Sequence, residues 1–483
     1  MRLLHSAART TARFASENVV SFAGLEPVMR LAQDAGLHEL VGQRVRLGTS
    51  IGSNPAGKVA TIVAGMVAGA DSIDDLDALR HGGMDRLFGQ VYAPSTLGSF
   101  LREFSFGHVR RLESAARQVL VELAATTPLL RGTEGFTYVD VDSLLRRVYG
   151  HAKQGAGFGH TKVGGYPVLL RGLSPLVATI CTDLAAPVVA ATRLRGGNAG
   201  SARGAASLVA EALTTAQATA RATARAVGAG PSEGETGPRE TGRHAQLLLR
   251  GDSAFYAGPV ISAARRHDAR FSVTVSMNPA VRRAINRIDE AAWIPIHYPN
   301  AVWDDETGQW ISDAEVAEIC YTAFAGTKHE VTARLVVRRV RREPPPGQDE
   351  LLPAWRYHAF ITDTGLSTVD ADLTHRAHAV VEQVFADLID GPLAHLPSGR
   401  FTANAAWLTC AGIAHNLLRA AACLTSRAHA RARGQTLRRR FIHVAAQVVH
   451  HARGVRLDLP RHWPWAGWWL RLFDETHSPP LPA

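Results

Sequence analysis

The run Leu247-Leu-Leu-Arg-Gly-Asp252 constrains the fold of this chain more than any other stretch. A short aliphatic run reads as a buried strand, and an acid stands where the run ends. Ser253, Ala254, Phe255 and Tyr256 follow, and Gly258-Pro259 opens the next helix. An acid on a strand tip, held rigid by the sheet behind it, is well placed to present a carboxylate to a metal ion. A second such tip lies upstream in Phe136-Thr-Tyr-Val-Asp140-Val-Asp142, where both acids fall on one side of an alternating strand. A glutamate far downstream, Glu382, falls on a helical stretch together with Asp387 and has Asp390 just beyond; spacing alone does not choose among the three. Carboxylates without a histidine cluster suit Mg²⁺, or Mn²⁺, better than zinc, and two such ions are a common device for moving a phosphodiester.

The rest of the chain is consistent with a soluble nucleic-acid protein. At 483 residues it can hold one large domain with appendages or two to three domains. No apolar run reaches the length of a membrane span. Net charge is +10, and lysine occurs only at 58, 153, 162 and 328, so arginine carries nearly all of the basic character. Between Arg400 and Arg471 there are twelve arginines against one acid, Asp458, an imbalance suited to phosphate contacts. Cys181, Cys320, Cys410 and Cys423 show no CxxC spacing. That argues against a zinc site and against a disulfide scaffold and fits a reducing cytoplasm, with the nucleoid as the expected location.

Residues 1–130 read as helical, with Asn54-Pro55 capping a helix over Lys58–Ala68 and Ser95 capping another. They form either a helix-turn-helix reader or a plain bundle. Strands are expected at Phe136–Asp142, Tyr166–Leu170 and Pro187–Leu194, a helix at Ala199–Ala226, and a flexible loop at Gly228–Gly242. Strand Ala245–Gly251, helix Val260–His267 and strand Arg270–Val275 follow. Three strands, helix, strand, helix, strand is the order of a ribonuclease-H-like α/β (α+β) fold, in which the first and fourth strands are neighbours. Residues 292–370 read as an inserted β-subdomain, with strands Ala317–Phe324, Val331–Arg338 and Trp355–Ile361 and a loop at Pro344. Thr374–Leu388 is expected as one helix, and Asn404–Ala430 and Arg438–Arg453 as long helices with basic faces. Trp463, Trp465, Trp468 and Trp469 form an aromatic cap packed on a neighbouring element. The expected division is 1–130, a core in two parts at 131–291 and 371–430, the insertion at 292–370, and a basic, Trp-rich region at 431–483.

The chain resembles the DDE transposases of bacterial insertion sequences, in the branch with a β-strand insertion. The matching stretches are Val139-Asp-Val-Asp142-Ser; Tyr149-Gly with Gly155-Ala-Gly and Gly165-Tyr-Pro; Leu194-Arg-Gly-Gly-Asn198; Arg250-Gly-Asp252-Ser-Ala-Phe-Tyr256; and His378-Ala-Val-Val-Glu382-Gln. The longest is Leu396-Pro-Ser-Gly-Arg-Phe401-Thr-Ala-Asn404-Ala-Ala-Trp407, running on to His415-Asn416-Leu-Leu-Arg419. Ala93-Pro-Ser-Thr-Leu-Gly and Thr436-Leu-Arg-Arg-Arg440 also match. The resemblance implies Asp142, with Asp140 as fallback, Asp252 and Glu382 as catalytic and metal-binding acids. It further implies Mg²⁺ (or Mn²⁺) as cofactor, double-stranded DNA as partner at terminal inverted repeats and target, and a dimer on DNA. His378, Arg376, Arg400, Arg438, Arg439 and Arg440 are the candidate DNA contacts. Relatives carry a tyrosine and an arginine seven and four residues before the glutamate and a lysine seven after it; here His375, His378 and Ile389 stand there. A protonated histidine can still contact phosphate, and isoleucine cannot. The competing readings are a DNA-binding protein that no longer catalyses and a metal-dependent nuclease without strand transfer.

Overall fold

Phe136–Ser143 (β1) alternates aromatic and acidic residues on one face with Thr137, Val139 and Val141 on the other, and that second row is buried. It leads into Tyr166–Cys181 (β2), Val188–Gly196 (β3), helix Ala205–Ala226 (α1), Gln246–Gly251 (β4), helix Gly258–Arg266 (α2) and Arg270–Thr274 (β5). β2 runs antiparallel to both β1 and β3, while β1, β4 and β5 are mutually parallel. The order β3-β2-β1-β4-β5 is a ribonuclease-H-like mixed sheet, with α1 packed across β1 and β2. The computed structural model describes residues 1, 4–163, 166–200, 202–226, 246–299, 301–341, 355–452 and 454–478. The loops expected at Gly228–Gly242 and Pro344 lie outside these.

The inserted strands Ala314–Ala323 (β6), Val331–Arg341 (β7) and Trp355–Thr362 (β8) form an antiparallel meander. β8 pairs with β5, so the insertion lengthens the central sheet, which counts eleven strands among the described residues. The chain then returns through helices Thr368–Arg376 (α3) and Val381–Ile389 (α4) and a long helix, Phe401–Thr425 (α5).

Four expectations change. The helix expected at Thr374–Leu388 is interrupted by a 3₁₀ turn at Ala377–Val380, which separates α3 from α4. α5 has no basic face: almost its whole length is buried, and its one arginine, Arg419, pairs with the buried Asp387. The expected helix over Arg438–Arg453 is a π-helical turn at Arg438–Ile442 followed by the hairpin Ala446–His451 and Gly454–Asp458. That hairpin takes Val19–Val20 as a third strand, a long-range pairing that local periodicity cannot reveal. Ser95 caps nothing; Pro94 opens the helix and Ala93 is its N-cap.

The N-terminal region is helical as expected. Asn54 accepts the Gly57 N–H and starts the helix Pro55–Ala68. This helix, together with Leu25–Asp34, Pro94–Arg102 and Phe106–Thr126, packs on α5. On its other side α5 closes the sheet edge at β3, where the Asn416 side chain accepts the Val189 N–H at 2.7 Å and donates to its carbonyl at 2.8 Å. Three of the four C-terminal tryptophans pack as expected, with Trp469 buried and Trp463 and Trp465 half-buried, while Trp468 is exposed: Trp469 Nε1 donates to the Phe441 carbonyl at 3.0 Å and Trp463 Nε1 to that of Arg440 at 3.1 Å. No helix among the described residues is long and apolar enough to cross a membrane.

Candidate metal centre

The parallel register of β1 and β4 pairs Asp140 with Arg250 and Val141 with Gly251. The next residues on the two strands, Asp142 and Asp252, therefore emerge at one end of the sheet. Asp142 is half-buried and its Oδ1 accepts the Ser143 N–H at 2.6 Å. Asp252 caps the short turn Ser253–Phe255 by accepting the Ala254 N–H at 2.9 Å. Glu382 opens α4, is exposed, and makes no hydrogen bond or ion pair among the described residues.

Charge ties the three together. Burial, and then the negative charges of Asp252, Glu382 and Asp140, push the Asp142 carboxyl up to about 7, against the pull of the Ser143 N–H. Asp252 is also raised by the protein around it, although its outer edge is open to solvent; the Ala254 N–H and the nearby His378 pull it back down. Among the described residues no three acid, histidine or cysteine side chains are gathered closely enough to hold an ion as they stand. The donor set itself fits a hard divalent cation: carboxylates only, one of them poised to lose its proton to a positive charge.

The neighbouring acids are already committed. Asp140 is 1% exposed and bound by Arg250 through Nε–Oδ1 at 2.7 Å and Nη2–Oδ2 at 2.8 Å, which leaves it no free edge for a metal. Asp387 is buried between Arg419 and Arg433 and accepts the Gly434 N–H, and Asp390 pairs with Arg433 at 3.0 Å. Of Glu382, Asp387 and Asp390, Glu382 alone makes no side-chain bond among the described residues.

The histidines divide. His375 is not the solvated or phosphate-contacting residue that its place on a helix suggested. Its ring nitrogens meet Ser272 Oγ at 2.8 Å and Thr274 Oγ1 at 2.9 Å, and the ring stacks on Phe360 at 4.1 Å. Burial drives its pKa well below the usual histidine range, so it stays neutral. His378 is half-buried, bonded through Nδ1 to the His375 carbonyl at 2.6 Å, and within electrostatic reach of Asp252. Ile389 packs against the core. Beside the site, Arg338, His358, Asp372, Arg376 and His378 line a cavity of about 220 Å³. Asp372 pairs with Arg338 at 2.8 Å and Arg376 at 2.9 Å, yet Arg338 Nε and Arg376 Nη2 are buried without a partner among the described residues. Sequence reasoning missed Arg338 and His358, which only strand pairing in the insertion brings beside α3.

The C-terminal arginines also divide. Arg438 is 7% exposed and donates to the Met66 and Val67 carbonyls, each at 3.2 Å, so it caps the end of the helix Pro55–Ala68 and does not face solvent. Arg440 is half-buried, bonded to His429 and lying over the Trp465 ring at 5.1 Å. Arg400 and Arg439 are exposed.

The most specific sequence signature is structural. Asn404 holds both ends of the Ser398 peptide, at 2.9 Å each, and Trp407 Nε1 donates to the Pro392 carbonyl at 2.6 Å. A Cβ on Gly197 would stand 2.1 Å from the Gly172 carbonyl oxygen and 2.2 Å from that of Gly157. The glycine contacts bring the backbones around Gly157, Gly172 and Gly197 into close approach.

No curated protein matches the chain significantly. The family described as transposase DDE domain group 1 matches residues 237–477, a span that includes Asp252 and Glu382 and begins after Asp142. With a ribonuclease-H-like sheet carrying acids at the ends of neighbouring strands, the chain belongs to the DDE transposases.

Proposed function

We propose that this transposase cleaves DNA at the terminal inverted repeats of an insertion sequence and joins the freed ends to target DNA, using Asp142, Asp252 and Glu382. One observation carries the reading: the field of Asp252 and Glu382 converges on Asp142 at the tips of two adjacent parallel strands. The three carboxylates would hold Mg²⁺, or Mn²⁺, which activates an attacking hydroxyl and stabilises the leaving oxygen in phosphoryl transfer. The sheet keeps Asp142 and Asp252 in fixed register, and the unpaired Glu382 completes the set from α4. Arg338, Arg376 and His378 offer donors to a DNA phosphate in the adjoining cavity, and the exposed Arg400 and Arg439 extend the basic surface. Joining two ends in one event calls for two copies of the chain on the DNA.

The test is strand cleavage by purified protein with Mg²⁺ and a labelled duplex of the repeats flanking its gene, run beside Asp252→Ala. Cuts at the repeat ends that vanish in the variant are the expected result. Full cleavage by Asp252→Ala would refute the site. A second reading, a DNA-binding protein that no longer catalyses, draws on Ile389 and the buried, neutral His375, which replace residues that relatives use. It requires tight binding without cutting, unchanged by Asp142→Asn.

A further inference from the structure

We infer that Arg250 is a positioning residue for the metal centre, a single guanidinium that locks the two acid-bearing strands and the helix leading to Glu382 into one geometry. The inference rests on the metal-site reading above and concerns a residue that touches none of the three acids.

Arg250 and Asp140 are direct partners in the β1–β4 register, one rung beneath Asp142 and Asp252 and on the same face of the sheet. Nε and Nη2 of Arg250 grip the two oxygens of Asp140 at 2.7 and 2.8 Å, which ties β4 to β1 through side chains as well as backbone. Nη1 donates to the Thr374 carbonyl in α3 at 2.9 Å, which ties both strands to the helical segment that turns through Ala377–Val380 into Glu382. Tyr138, a further rung down, lies under the guanidinium at 3.9 Å and is fixed in turn by its hydroxyl, which donates to Asp183 at 3.0 Å. Val380, two residues before Glu382, packs on the small cluster of Tyr138, Cys181 and Leu248.

Stability alone is a poor reason for this arrangement. Burying two charges costs much of what their attraction returns, and apolar replacements of such pairs are often neutral or stabilising. A pair that adds little to stability while bonding three elements at fixed angles serves geometry instead. The flat fork of arginine is required: lysine has no planar edge for a two-point grip on a carboxylate and cannot reach the Thr374 carbonyl at the same time.

The experiment compares the full chain with Arg250→Lys, with the apolar double variant Asp140→Leu/Arg250→Met, and with Asp252→Ala. Three quantities are read: cooperative thermal melting, Mn²⁺ affinity from the free-ion resonance signal, and the Mg²⁺ concentration giving half-maximal cleavage. The expected result is cooperative melting for both Arg250 variants, Mn²⁺ affinity lowered about 10–100-fold, and cleavage partly recovered at correspondingly higher Mg²⁺. Wild-type Mn²⁺ affinity and Mg²⁺ requirement in a folded Arg250 variant would overturn the inference. So would loss of cooperative melting in the double variant, because the pair would then be holding the fold itself. Asp252→Ala separates the two levels. If it binds Mn²⁺ as wild type does, the metal-site reading fails and takes this inference with it. If it loses Mn²⁺ while the Arg250 variants do not, only the inference fails.

Discussion

At neutral pH the Asp142 carboxyl stands near the midpoint of its own titration, because burial and three neighbouring acids oppose its charge and only the Ser143 N–H favours it. A carboxylate whose pKa is raised on folding lowers stability as pH climbs from its unfolded value, about 4, to its folded value, about 7. Asp142→Asn is therefore expected to raise the melting temperature of the metal-free protein at pH 8. The gain shrinks as pH falls from 7 towards 4 and vanishes below, as a melting series across pH would read. Mg²⁺ should stabilise the wild type and leave the variant unchanged, and its affinity for the wild type should rise with pH through 7, because binding displaces a proton. Two adjacent arginines give a contrast of another kind. Arg438→Ala removes donors to two backbone carbonyls at a helix end and should cost about 1–3 kcal/mol in denaturation experiments. Arg439→Ala, on an exposed side chain, should leave stability alone.

Among the elements, α5 carries the largest structural duty, since it covers the free edge of β3. An edge strand with open N–H and C=O groups invites stray pairing, and Asn416 closes one such pair from the helix side. Asn416→Ala would leave both Val189 groups buried without partners and is expected to cost about 2–4 kcal/mol by chemical denaturation, with catalysis retained at permissive temperature. The core strands were legible because burial on one face imposes alternation: Phe136–Asp142 was expected and Phe136–Ser143 is found. β2 was expected to stop at Leu170 and runs to Cys181, past Pro175. Pro175 faces the place where β1 has ended, so its missing N–H is not called on by the ladder. The candidate acids Asp142 and Asp252 were read from strand ends, and the choice of Glu382 over Asp387 came from resemblance; the arginine partners of Asp387 arrive from α5 and beyond. His375 was misjudged because Ser272 and Thr274, which fix its ring, lie about a hundred residues earlier in the chain.

Over the whole molecule, positive charge is less available than its count suggests. Arg250, Arg419 and Arg438 are buried in structural bonds, which leaves Arg400 and Arg439 among those facing solvent. The salt dependence of DNA binding should follow the exposed set. Arg439→Ala should flatten the slope of log affinity against log salt by about 0.9, the value of one lost phosphate contact, while Arg438→Ala should not change it. α5 also sets the order of assembly. The helices Leu25–Asp34, Pro55–Ala68, Pro94–Arg102 and Phe106–Thr126 pack against residues 401–425, so a chain emerging from the ribosome displays their apolar stripes long before that partner exists. Non-local pairing of this kind folds slowly and leaves sticky intermediates exposed while it waits. Slower translation or added chaperone is therefore expected to raise the soluble fraction of this protein more than stabilising the finished fold does, as expression trials with both changes would read.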